Sequence, residues 1–194
     1  SLANEEKVKS LPLSGKAEFA SIPPPGPAAT SAYVLSVTYE DQGANGMPSQ
    51  ATTRQVVFKS PVLNAADASD LTGGARKLSA AGYQIIENIK HNSSATFKNV
   101  DLTGVGSLSF IVAEMGNVRG GEIEVRLDSP TGALLGTANF TKAPKIEIQS
   151  GVYMRPTGLV FKPVSGKHDV ILIFKNPEAG DETLFLFSQW SLGK

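Results

Sequence analysis

The stretch GGEIEVRLDSPTGALLGT, Gly120 to Thr137, decides the fold class. Within it Ile123, Val125 and Leu127 alternate with Glu122, Glu124, Arg126 and Asp128, the two-residue period of a strand with one buried and one wet face. Pro130 presets a turn angle and Gly132 accepts angles closed to a side chain, so SPTG stops the strand and ALLGT returns beside it. Beyond Ser60 the pattern recurs at short spacing in ATFKNVDL, SLSFIVAE, GEIEVRLD, ALLGTANF, KIEIQ, TGLVFKP, HDVILIFK and TLFLFSQWSL. Gly or Pro separates most of these runs, and none keeps a helical period, although ASDLTGGARKLSAAG has room for a short helical turn. The chain therefore reads as all-β, an antiparallel β-sandwich, with VILIF (Val170 to Phe174) as a strand buried on both faces and FLF (Phe185 to Phe187) as its partner in the core.

Before this sandwich lies a smaller N-terminal β unit, and the two divide the chain into residues 1–59 and 60–194. LPLSGKAEFA reads as one strand, and the prolines of IPPPGP (Ile22 to Pro27) favour an extended spacer. AYVLSVTYE and TTRQVVFKS read as two more strands, joined by a loop dense in turn residues. Three strands of this size make little core, so the unit is expected to lean on the sandwich.

Eighteen Lys plus Arg balance eighteen Asp plus Glu, leaving no global field to attract nucleic acid or an anionic membrane. No run approaches the length of an apolar membrane span, and SLANEEKVKS lacks the apolar core of a signal peptide; its abrupt polar start suggests a piece of a longer chain. The absence of cysteine removes disulfides, thiolate nucleophiles and cysteine-bound metals together.

FKNVDLTGVGSLSF (Phe97 to Phe110), RLDSPTG followed by GKHDVILIFKN (Gly166 to Asn176), and a last strand carrying Trp190 together resemble a family 6 carbohydrate-binding module. SAYVLSVTYEDQGANGMPS resembles the β unit that precedes such modules in large bacterial proteins with sugar-dehydrogenase or cytochrome domains. The resemblance implies a jelly-roll sandwich, no catalysis of its own, a glycan or oligosaccharide as ligand, and an attached catalytic domain that the module targets. It also implies a secreted, periplasmic or cell-surface location in an exported multidomain bacterial protein. The alternative is a structural or protein-interaction sandwich that has lost sugar and calcium binding.

The family's sugar site lies in loops at one end, where two aromatic rings sandwich a pyranose and an asparagine fixes its hydroxyls. Asn88 stands at the first ring position, Tyr153 with Met154 at the second, and Phe187 at the asparagine position. Tyr83, Asn88, His91 and Tyr153 are the candidate carbohydrate-binding residues. The resemblance also implies a structural calcium, whose usual carboxylates are replaced here by Asn64, Ala66 and Gln189. No cofactor or metal is therefore expected, and an amide contact between Asn64 and Gln189 would replace the ion.

Trp190 is expected in the core, and His168 in a structural hydrogen bond. Glu124 and Asp128 are spaced as paired carboxylates on one sheet face, but the alternation makes that face a solvated one, with Asp128 accepting a turn hydrogen bond. GGAR and RGGE read as turns, and no nucleophile has a base beside it, so catalytic residues are expected to be none.

Overall fold

The computed structural model describes residues 32–80, 83–149 and 151–194. The strand read in LPLSGKAEFA and the proline spacer lie outside the described residues. Strands β1 (Ala32–Glu40) and β2 (Ala51–Lys59) form an antiparallel ribbon. One face carries the polar pairs Thr38–Thr53 and Gln55–Ser36 beside the exposed Val34 and Val57. The other exposes Leu35, Val37, Tyr39 and Val56. The described core takes no residue from this ribbon. Pro61 offers no N–H with which the ladder could continue past Ser60.

The sandwich occupies the rest of the chain. Its strands are β3 (Val62–Asn64), β4 (Asp70–Thr72), β5 (Arg76–Ala80), β6 (Tyr83–Glu87), β7 (Ser94–Asp101), β8 (Ser107–Met115), β9 (Glu122–Leu127), β10 (Leu134–Asn139), β11 (Ile146–Gln149), β12 (Val152–Val160), β13 (Lys167–Lys175) and β14 (Leu186–Gly193). One sheet has the order β10-β9-β13-β7-β4, the other β11-β12-β8-β14-β6-β5, with β3 also paired to β14. Every described pairing is antiparallel. The helical turn expected in ASDLTGGARKLSAAG is absent among the described residues there: β4 and β5 occupy it, and a 3-10 turn lies just before, at Ala65–Asp67. Each segment is recruited by a neighbour, β4 by β7 and β5 by β6.

The core is aromatic. Trp190 is 1% exposed, stacked on Phe110 at 6.2 Å and edge-on to Phe97 at 5.0 Å. Phe174 meets Phe185 and Phe187 at 5.8 and 5.9 Å, which joins VILIF of one sheet to FLF beside the other. Residues 170–174 are all buried. Ile123, Val125 and Leu127 face inward along β9, as their alternation requires. Antiparallel pairing brings loops 73–75, 88–93, 116–121, 140–145 and 176–185 to one end of the sandwich. No helix of the described residues is long and apolar enough to cross a membrane.

Candidate functional site

The loop end is stitched by backbone bonds. Arg119 and Gly120 donate to the carbonyls of Thr183 and Leu184, and Leu184 donates to that of Ile89. Asn176 reinforces this, its amide donating to the carbonyls of Arg119 and Gly120 and its Oδ1 accepting from the Glu178 N–H. These bonds, with the 3-10 turn Pro177–Ala179 that Asn176 caps, fix the loops, which allows polar side chains to be presented at defined positions.

Tyr153 is the second residue of β12 and lies opposite Glu114 of β8. Glu114 is nearly buried and is shared by two cations, Arg155 Nε at 2.6 Å and Lys145 Nζ at 3.1 Å. Arg155 also donates to the carbonyl of Ala143 at 2.7 Å, so its guanidinium belongs to the interior network. The ammonium of Lys145 stands 4.1 Å from the centroid of the half-buried Tyr153 ring. One face of the ring thus carries a cation, a favourable contact of about 0.5–1 kcal/mol at an exposed site. This cluster holds Tyr153 on the same loop end as Asn88 and His91.

Asn88 adopts a left-handed backbone conformation (φ 53°), and its amide donates to the Gly74 carbonyl at 2.8 Å. It ties two loops together where the resemblance places an aromatic ring. His91 Nδ1 accepts the Asn176 backbone N–H at 3.0 Å, which assigns the ring proton of the neutral form to Nε2. Tyr83 begins β6 opposite Ala80 of β5. Five residues of strand separate it from Asn88, about 17 Å, so it does not join the other three. Phe187, placed at the sugar-fixing asparagine position by the resemblance, is fully buried against Phe110 and Phe174. The bulge between Phe187 and Gln189 sets which residues of β14 turn inward, and Phe187 is one of them.

A depression of about 320 Å³ opens at this end, lined by Gly116, Asn117, Val118, Arg119 and Glu182. It begins one residue past Met115, which pairs with Val152, and so neighbours the Tyr153–Glu114 pair in the register of β8. Arg119 and Glu182 form a two-pronged pair, Nε to Oε2 at 2.7 Å and Nη2 to Oε1 at 2.6 Å. The hydrogen bond from Arg119 holds the Glu182 carboxyl below its ordinary value, and the same bond raises Arg119. Sequence reasoning missed both residues. RGGE carries the signal, a charged pair flanking two glycines, but the partner of Arg119 is 63 residues away.

The carboxylates that suggested hydrolysis are engaged elsewhere. Glu124 pairs with Arg126 on the sheet face. Asp128 accepts from His168 and from the Asp169 N–H, so it links the hairpin to β13 and does not accept within its own turn, where Gly132 donates to the Ser129 carbonyl. The left-handed conformation of Asp128 (φ 64°) turns its carboxylate across to the neighbouring strand. Among the described residues no three His, Asp or Glu side chains gather as a metal site. Asn64 and Gln189 lie opposite each other across β3 and β14 as neutral amides, and the carboxylate of Asp67 accepts the Asn64 backbone N–H at 3.0 Å. This donor set does not fit the calcium implied by the resemblance, because a hard dication prefers several charged oxygens.

An all-β sandwich that holds polar loops in fixed positions at one end has the architecture of a binding module. A family model described as carbohydrate binding module (family 6) matches residues 65–194, and the chain belongs to that family. It is 30% identical to endo-1,4-beta-xylanase A of Thermoclostridium stercorarium over 155 residues, covering 77% of this chain and 28% of that protein. The chain therefore spans little more than a quarter of that relative. A family 6 carbohydrate-binding module from Clostridium cellulolyticum, solved in complex with xylose, superposes with TM-score 0.57 and 26% identity, covering 70% of this chain and 98% of that one. The module CsCBM6-3 of Clostridium stercorarium, solved with cellobiose, shares the fold at TM-score 0.55 and 24% identity, over 70% and 94% of the two chains.

Proposed function

We propose that the module holds a xylan-type glycan at its loop end and keeps a catalytic domain of the same exported polypeptide close to that polysaccharide. The observation that carries the location is the depression bounded by Arg119 and Glu182 beside the Tyr153–Glu114 pair. Sugar hydroxyls need donors and acceptors at fixed spacing, and a guanidinium–carboxylate pair offers both in charge-assisted form. Tyr153 supplies the ring for the apolar face of the sugar, while His91 Nε2 and Asn117 are polar groups on the same loop end. The xylanase relative and the xylose-bound family member support xylose-based ligands. A shallow, wet site gives weak binding to one sugar, yet a tether converts it into a raised local concentration for the attached domain.

Isothermal titration with xylo-oligosaccharides, with cello-oligosaccharides as comparison, tests the reading on the wild type, Arg119→Ala and Tyr153→Ala. The wild type is expected to bind, and each substitution to weaken binding at least about tenfold, about 1.4 kcal/mol, with an unchanged unfolding midpoint. Absence of binding to every glycan would reject the function; binding unaffected by both substitutions would move the site elsewhere.

A further inference from the structure

We propose that a lysine ammonium, that of Lys77, takes over at the β3–β4 corner the structural task of a divalent cation, so that this module is stable without calcium. The corner is built from β3, the 3-10 turn Ala65–Asp67 and Ala68, and the turn packs against β6 and β14. Ala65 and Ala68 are buried, so the carbonyls here need partners inside the protein. The Ala65 carbonyl accepts from the Ala68 N–H at 3.2 Å. The Ala68 carbonyl accepts from Lys77 Nζ at 2.6 Å. Lys77 lies on β5, opposite the buried Ile86 of β6, and its side chain reaches from there to the corner. A charged donor on a carbonyl is what a bound cation would otherwise provide.

The remaining groups agree. Asp67 supplies one negative charge and is already used in capping Asn64, while Asn64 and Gln189 face each other as neutral amides. Lys77 adds a positive charge to this corner, set against Asp67 and the exposed Asp70 that opens β4. A dication added to it would meet an ammonium, two neutral amides and an Asp67 already engaged with the Asn64 N–H, a donor set poor in the free charged oxygens that a hard ion prefers. Lys77 also does mechanically what an ion does, since it ties β5, the edge strand of its sheet, to the turn after β3.

Thermal unfolding of the wild type, Lys77→Met and Lys77→Arg in calcium and in chelator, with calcium titration calorimetry, tests this. The wild type is expected to unfold at one midpoint, within about 1 °C, in both conditions and to give no calcium heat. Lys77→Met is expected to unfold about 3 °C lower in both. Lys77→Arg, which keeps the cation, is expected to lose less than half of that. A wild-type midpoint that rises with calcium, a calcium heat, or a Lys77→Met midpoint equal to wild type would each overturn the proposal. Equal losses in the Met and Arg variants would overturn it as well, because they would make the stem and not the charge responsible.

Discussion

His168 shows how a single residue joins two segments distant in sequence. Its Nδ1 faces the Asp128 carboxylate at 3.0 Å and its Nε2 faces the Ser165 carbonyl at 3.2 Å. Both nitrogens can donate at once only in the imidazolium form. The Asp128 hydrogen bond first, and the Ser165 carbonyl second, raise His168 above its ordinary 6.5, while the bond from His168 lowers Asp128 below 3.8. The His168 contribution is therefore complete below pH 6.5 and lost as pH rises through the raised value; the Asp128 contribution is present above pH 3.8 and lost as pH falls through the lowered one. Thermal unfolding of wild type and His168→Gln should show the widest midpoint gap near pH 6 and a smaller one near about pH 9. An equal gap at both would show that the ring acts by shape and not by charge. Glu114 makes a different case, since it is nearly buried between two cations. Glu114→Gln leaves those cations facing each other and should cost about 3 kcal/mol in denaturant unfolding. It should also weaken glycan binding, because Lys145 loses the anchor that holds it over Tyr153; unchanged affinity would separate the cluster from the site.

At the level of elements, the hairpin of β9 and β10 was legible because its residues satisfy two independent constraints. Alternation fixes which face is buried, and SPTG fixes where the chain reverses. A Cβ built on Gly132 would overlap the Leu127 carbonyl oxygen, so the turn requires glycine for space. Gly132→Ala should therefore cost about 2 kcal/mol, read as a lower denaturation midpoint with an unchanged slope. A neutral Gly132→Ala would mean that the turn relaxes. The three-residue strands β3 and β4 were illegible for the opposite reason: three residues carry no period, and only pairing with β14 and β7 makes them strands. The candidate site divides in the same way. Tyr153 and Asn88 are named by the positions that the family resemblance gives them, and the side chain of Asn88 serves a loop–loop contact. Arg119 and Glu182 could not be named from the sequence, because their pairing depends on two loops meeting at one end of the fold, and no local period records that meeting. Tyr83 stands apart from Asn88 because their proximity in sequence runs along β6.

For the molecule as a whole, the distribution of buried apolar residues sets what can fold alone. Every described member of the core comes from Leu63 onward, and both sheets close over one another without β1 or β2. A two-stranded ribbon has little stability in water, because it has no second layer on which to bury its apolar face. The exposed Leu35, Val37, Tyr39 and Val56 fit that account. The division at residue 60 then has a thermodynamic meaning: residues 60–194 should unfold in one cooperative transition, with a midpoint within about 2 °C of the full chain. Amide exchange should separate the parts, with the ribbon amides exchanging by local opening and those of β8 and β13 only by global unfolding. The glycan affinity of the shorter piece should equal that of the full chain, since no residue assigned to the site precedes Asn88. A midpoint lower by more than about 5 °C would show that the ribbon stabilises the sandwich after all. Its apolar face would then be the place where that stabilisation originates, and substituting Val37 with Thr in the full chain should reproduce part of the loss.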